Sequence, residues 1–122
     1  MKIVALIPAR MGSSRFPGKP MAHLLGKPMI GHVYERVTQN KQLSLTAVAT
    51  CDHEIADYVR SIGGVAVMTG NQHERASDRC AEALAILELE QGERFDIVVM
   101  IQGLQGSGKS TLVKKIIYPA LL

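Results

Sequence analysis

Lys2-Ile3-Val4-Ala5-Leu6-Ile7-Pro8-Ala9-Arg10-Met11-Gly12-Ser13-Ser14-Arg15-Phe16-Pro17-Gly18-Lys19-Pro20 holds the pattern from which the rest of this chain can be read. Its apolar opening, Lys2 to Ile7, reads as a buried strand. The strand runs straight into a loop that supplies Arg10, Arg15 and Lys19, with Gly12, Ser13, Ser14 and Gly18 between them. No acidic residue occurs before Glu35. Small residues let the backbone approach phosphate oxygens, N–H groups point at them, and the cations neutralise their charge. A strand followed by such a loop therefore suits a nucleoside triphosphate. A solvated basic loop of any α/β protein has similar letters, and this segment taken alone leaves both readings open.

Outward from that strand the pattern alternates. Ile30, Val33, Tyr34 and Val37 fall on one helical face, and Pro28 suits a first helical turn. Leu43 to Thr50 reads as a second strand. Asp52 can cap the next helix, which has Ile55, Val59 and Ile62 on its buried side and stops at Gly63-Gly64. Val65 to Met68 is a short third strand. Ser77 or Asp78 can cap a third helix with Cys80, Ala83, Leu84 and Leu87 inward, ended by Gly92. Ile97 to Ile101 is a fourth, wholly apolar strand. The series predicts an α/β fold: a parallel, Rossmann-like sheet of about four strands with helices on both faces and ligands at the carboxyl ends of the strands.

The composition agrees with one domain or part of one: 122 residues, 47% hydrophobic, 4% aromatic and no Trp, so the predicted core is aliphatic. The net charge is +3, but its distribution is uneven. Residues 1–34 carry five Lys or Arg and no acid, and all eleven acids lie between Glu35 and Asp96. Basic ends around an acidic middle can gather phosphate at one rim of a sheet. The absence of a long Lys/Arg run, aromatic platform or zinc-ligand spacing points away from nucleic acid. Cys51 and Cys80 fit reduced thiols rather than a disulfide scaffold or a metal pair. With no signal core and no transmembrane stretch, the expected location is cytoplasmic and no membrane partner is expected. His23, His32 and His53 show no ligand pattern.

The segment Ile7 to Pro20 also resembles the opening of the sugar cytidylyltransferases of the CMP-Kdo synthetase type. The resemblance continues through Gly26-Lys27-Pro28-Met29-Ile30, His32-Val33-Tyr34-Glu35-Arg36, Val48-Ala49-Thr50-Cys51-Asp52, Met68-Thr69, His73 to Arg79, Ala81-Glu82-Ala83 and Asp96 to Gly103, in family order. It implies the nucleotide-diphospho-sugar transferase fold and an enzyme that joins an acidic sugar such as Kdo to CMP from CTP, for lipopolysaccharide synthesis. It further implies that Arg10, Gly12, Ser13, Ser14, Arg15 and Lys19 hold the triphosphate. Arg15 and Lys19 would act on the leaving pyrophosphate. His73, Ser77, Asp78, Arg79 and Gln102 would shape the nucleotide and sugar pocket. Arg75 and Ala76 depart from the family segment. Read from spacing alone, Ser77 and Asp78 cap a helix and Arg79 pairs with Asp78 or Glu82 on its surface.

The resemblance breaks after Gly103. The family pattern places there an Asp that binds Mg²⁺, and this chain has Leu104, which offers a hard cation no oxygen. The expectation is a cytidylyltransferase amino-terminal half over residues 1–103, impaired or inactive, without that metal site and without the family's dimer contacts. Residues 104–122 then read as a Walker A-like loop and terminal helix. Gly103 to Thr111 fits G-x-x-x-x-G-K-[ST], with Gly106, Gly108, Lys109, Ser110 and Thr111 as alternative phosphate ligands. Gly106 to Lys115, with Tyr118 to Leu121, is similar to a Walker A helix of the excinuclease A ABC-type ATPase. A P-loop nucleotide-binding fragment and a non-catalytic structural remnant or chimera are the rival readings.

Overall fold

The computed structural model describes residues 1–12, 18–72 and 75–101, together with the backbone of Val113–Ile117. Strand β1 (Ile3–Pro8) is followed by a 3₁₀ turn at Lys19–Met21 and a small antiparallel hairpin, β2 (His23–Leu24) and β3 (Lys27–Pro28). Leu25 and Gly26 have φ of 52° and 86°. Positive φ at both turn positions is what a two-residue hairpin of this hand requires. Sequence periodicity gave no hint of this hairpin. Then come α1 (Met29–Thr38), β4 (Leu45–Thr50), α2 (His53–Ser61), β5 (Val65–Met68), α3 (Ala76–Gln91), β6 (Ile97–Ile101) and β7 (Val113–Ile117).

The main sheet has five strands in the order β5-β4-β1-β6-β7. β5, β4, β1 and β6 are parallel, as expected. β7 runs antiparallel to β6, with Ile101 opposite Val113 and Ile97 opposite Ile117. This corrects the expectation of a terminal helix after residue 104. Val113, Ile116 and Ile117 fit one helical face, but β-branched residues suit a pleated surface better, and β6 offers them an edge.

Alternation along the parallel strands sorts the core into two layers. Val4 and Leu6 of β1, Ala47 and Ala49 of β4, and Val98 and Met100 of β6 meet Cys80, Ala83 and Leu87 of α3, with Phe95 closing that layer. Ile7, Val48 and Ile101 face the other way, onto Ile30 of α1 and Ile55 and Val59 of α2. Helices thus cover both faces, and the parallel crossovers β1-α1-β4, β4-α2-β5 and β5-α3-β6 make that possible. Gly92 ends α3 in the left-handed region at φ 68°, its N–H donating to Glu88 O at 2.9 Å.

Candidate nucleotide site

In a parallel sheet, ligands bind beyond the carboxyl ends of the strands, at the point where the strand order reverses. Here the chain moves from β1 outward to β4 and β5, then returns across β1 to β6. The reversal lies at β1 and β6, so the loop after β1 stands at the rim where a ligand is expected. Arg10, Gly12 and Lys19 belong to that loop. Ser13, Ser14 and Arg15, as well as His73 and Gln102, lie outside the described residues.

The neck of the loop is held by backbone bonds. Ala9 N–H extends the β1–β4 ladder to Ala49 O at 3.0 Å. Met11 O accepts from Gly18 N–H at 2.8 Å, which brings the two ends of the loop together. Gly18 sits at φ 76°, a conformation that favours glycine, and its carbonyl accepts from Met21 N–H at 3.0 Å. Lys19 starts the 3₁₀ turn immediately after this neck, and Arg10 lies immediately before it. The Arg10 Nε is enclosed and meets no hydrogen-bond acceptor among the described residues. An unpaired buried guanidinium donor is costly, and an anion seated at the rim would relieve it.

Asp52, expected to cap α2, makes no side-chain cap bond. Its carboxylate instead accepts Met11 N–H at 2.9 Å, across 41 positions of sequence. The Cys51 Sγ lies 3.7 Å from the same oxygen, and Asp52 N–H donates to Thr50 Oγ1 at 3.1 Å. Asp52 thus belongs to the rim, at the end of the strand beside β1.

The next loop along the rim follows β5. Neither Ser77 nor Asp78 is the cap of α3; both are exposed in its first turn, after Arg75 at the N-cap position without a side-chain cap bond. Arg79 is not a surface ion-pair partner. It is 2% exposed, and its Nη1 donates to Thr69 Oγ1 at 2.5 Å and to Gly70 O at 3.2 Å. Glu82 accepts Gly70 N–H at 3.2 Å. The first turns of α3 thus clamp Thr69–Gly70 from both sides of the peptide. Beside Arg79, burial pushes the Cys80 thiol up to about 12, against the opposing pull of the guanidinium.

No site for the Mg²⁺ implied by the family resemblance is shown among the described residues. Among the described residues no three His, Cys, Asp or Glu side chains converge as ligands. Leu104 occupies the expected Asp position. The alternative ligands Gly106, Gly108, Lys109, Ser110 and Thr111 also lie outside the described residues. The next described element after them is a strand, whereas a phosphate-cradling loop of that type relies on the N-terminus of a helix. Among the described residues no helix is long and apolar enough to cross a membrane.

A family model described as cytidylyltransferase matches residues 4–118. The chain belongs to the cytidylyltransferase family. The match runs past Gly103, where the sequence resemblance alone would divide the chain. The 3-deoxy-manno-octulosonate cytidylyltransferase of Syntrophus aciditrophicus is 53% identical over 102 residues, covering 84% of this chain and 40% of the relative. That of Trichlorobacter lovleyi is 46% identical over 121 residues, covering 99% of this chain and 46% of the relative. The 8-amino-3,8-dideoxy-manno-octulosonate cytidylyltransferase of Shewanella pealeana is 52% identical over 103 residues, 84% of this chain and 41% of the relative. A solved CMP:2-keto-3-deoxy-manno-octonic acid synthetase complexed with CTP superposes with a TM-score of 0.70 at 43% identity, over 84% of this chain and 40% of that one. The chain therefore spans less than half the length of these family members.

Proposed function

We propose that this chain binds CTP at the rim after β1 and serves the transfer of CMP to an acidic eight-carbon sugar of the 3-deoxy-manno-octulosonate class. In that reaction a sugar oxygen attacks the α-phosphorus. The bond from that phosphorus to the β-phosphate oxygen breaks, and pyrophosphate leaves. The residues assigned to the triphosphate are Arg10, Gly12, Ser13, Ser14, Arg15 and Lys19, with Arg15 and Lys19 stabilising the charge that develops on the leaving pyrophosphate. His73, Ser77, Asp78 and Gln102 are assigned to the pocket for base and sugar. Arg79 serves that pocket from within the protein, through Thr69 and Gly70, rather than by touching nucleotide. Leu104 in place of a carboxylate makes CMP transfer by this chain slow.

The observation that carries this reading is the position of Arg10 and Lys19 on either side of a closed loop neck at the strand-order reversal, with the Arg10 Nε unpaired. Support comes from the CTP bound in the related structure. Calorimetric titration of the chain with CTP and with ATP tests it. Saturable CTP binding at least about tenfold tighter than ATP is expected, weakened about tenfold or more by Arg10→Ala or Lys19→Ala, since each removes a charge-assisted contact. ATP binding equal to or tighter than CTP, or no CTP binding, overturns it.

A further inference from the structure

We propose that Asp52 is a positioning residue for the phosphate loop: it sets the neck between Arg10 and Lys19 by accepting the Met11 N–H. This rests on the CTP reading above.

Asp52 stands two residues after β4 and directly precedes α2, the sequence position of a helix cap. Its side chain leaves that duty undone and reaches the first turn of the loop instead. A carboxylate close to a triphosphate site repels the ligand, so an acid tolerated there needs a compensating use. The use visible here is geometric. Met11 is the junction of the loop: its carbonyl takes Gly18 N–H, and its own N–H goes to Asp52 Oδ2. With Ala9 tied to Ala49, the chain from Ala9 to Met11 is fixed to β4 and to Asp52, two residues beyond it. Arg10 lies within this fixed stretch, and Lys19 follows the Gly18 that closes it. Without the Asp52 acceptor, Met11 N–H has no such anchor, and both cations lose a common reference to the sheet. Preorganisation of this kind improves affinity by removing the ordering cost from the binding step.

Helix capping and loop positioning call for different side chains at residue 52. Serine is a good N-cap but is too short to span to Met11, whereas asparagine keeps an oxygen at the carboxylate's reach. The test compares Asp52→Ser, Asp52→Asn and Asp52→Ala in the 122-residue chain. CTP affinity, thermal unfolding and Met11 amide hydrogen exchange in the absence of ligand are measured for each. The proposal expects Asp52→Ser and Asp52→Ala to lose about tenfold in CTP affinity, the scale of one lost hydrogen bond to a charged group, and Asp52→Asn to stay within about threefold of wild type. Met11 exchange rises about tenfold or more in Ser and Ala while the Leu6 and Ile7 amides, inside β1, stay protected. Wild-type CTP affinity in Asp52→Ser, or Asp52→Asn as weak as Asp52→Ala, overturns the proposal. If wild type itself binds no CTP, the nucleotide reading fails. Met11 exchange then decides this inference by itself: unchanged exchange in Asp52→Ser overturns the Asp52 anchor, and selective acceleration upholds it.

Discussion

On one face of the sheet the sixteen-residue helix α3 lies against β1, β4 and β5, and with Phe95 it leaves Val4, Leu6, Val98 and Met100 at most 2% exposed. On the other face α1 and α2, of ten and nine residues, cover the carboxyl half of β1 and the strands beside it, bringing Ile30, Ile55 and Val59 onto Ile7 and Val48. Among the described residues the amino half of that face is left uncovered. A groove of about 500 Å³ runs there between α1 and β6, lined by Ile3, Val33, Val37, Leu43, Ile97 and Val99. The closed part of the second face lies directly behind the rim that carries Arg10 and Asp52. The α3 face thus holds most of the fully buried packing, while the second face is tight where α1 and α2 meet β1 and β4 and loose along β6, from Ile97 to Ile101.

Matched substitutions break or sharpen this contrast, and the largest effect expected is from a leucine on each face. Leu87→Ala removes a side chain 2% exposed from the α3 layer and leaves a hole among Ala83, Phe95 and Met100. A loss of about 3 kcal/mol is expected. Leu43→Ala makes the same chemical change beside the groove, where the side chain is only half-buried and no closed cavity is created. Its cost should be about 1 kcal/mol. Urea denaturation measures both. Equal losses would mean that the groove is filled in solution, and the contrast would fail.

The polar anchors of the two faces give the next comparison. Arg79 ties α3 to the loop after β5, and Arg79→Met strands both Thr69 Oγ1 and Gly70 O. About 2 kcal/mol is expected, and Arg79→Lys should recover little of it, because an ammonium lacks the planar fork. Tyr34 is the counterpart on α1: its hydroxyl donates to Thr46 O at 3.2 Å and accepts Val65 N–H at 3.1 Å, joining the helix to two strands. Tyr34→Phe should cost about 1 kcal/mol, since water at the half-open edge can replace part of what is lost. A Tyr34→Phe loss exceeding that of Arg79→Met, by chemical denaturation, would reverse the ranking of the faces.

Apolar patterns were legible in the sequence because burial leaves a local signature. Val65–Met68 and Ile97–Ile101 stand where the apolar runs put them, and Ile30, Val33, Tyr34 and Val37 share the buried side of α1. The second strand starts at Leu45 rather than Leu43, whose side chain ends at the groove. Polar partnerships were not legible, because a carboxylate or guanidinium has the same letter whichever donor or acceptor it finds. Asp52 read as a cap and Arg79 as a surface or ligand-contacting cation. Their partners, Met11 and Thr69, are set by tertiary neighbours 41 and 10 positions away. Val113–Ile117 was not legible as a strand for a different reason. Val113, Ile116 and Ile117 match the helical i, i+3, i+4 spacing rather than a two-residue alternation, and pairing with β6 overrides that local period. At the rim, Arg10 and Lys19 were legible as cations after a first strand, while the neck that relates them required the backbone bonds of Met11 and Gly18.

The smallest effect concerns pH and again belongs to the α3 face. Burial raises the Cys80 thiol to about 12 from an ordinary 9.0. In the unfolded chain the thiol ionises first, near its ordinary value, so the unfolded state binds fewer protons than the native state above that pH. The contribution of Cys80 to stability is therefore fully present below about pH 9 and is lost progressively as the pH rises toward 12. Between pH 8 and pH 10 the wild type should lose about 1 kcal/mol more than Cys80→Ala, in which no thiol titrates. Parallel curves for wild type and Cys80→Ala would show that the α3 layer admits water to the thiol. The face identified as closed would then be open at its centre.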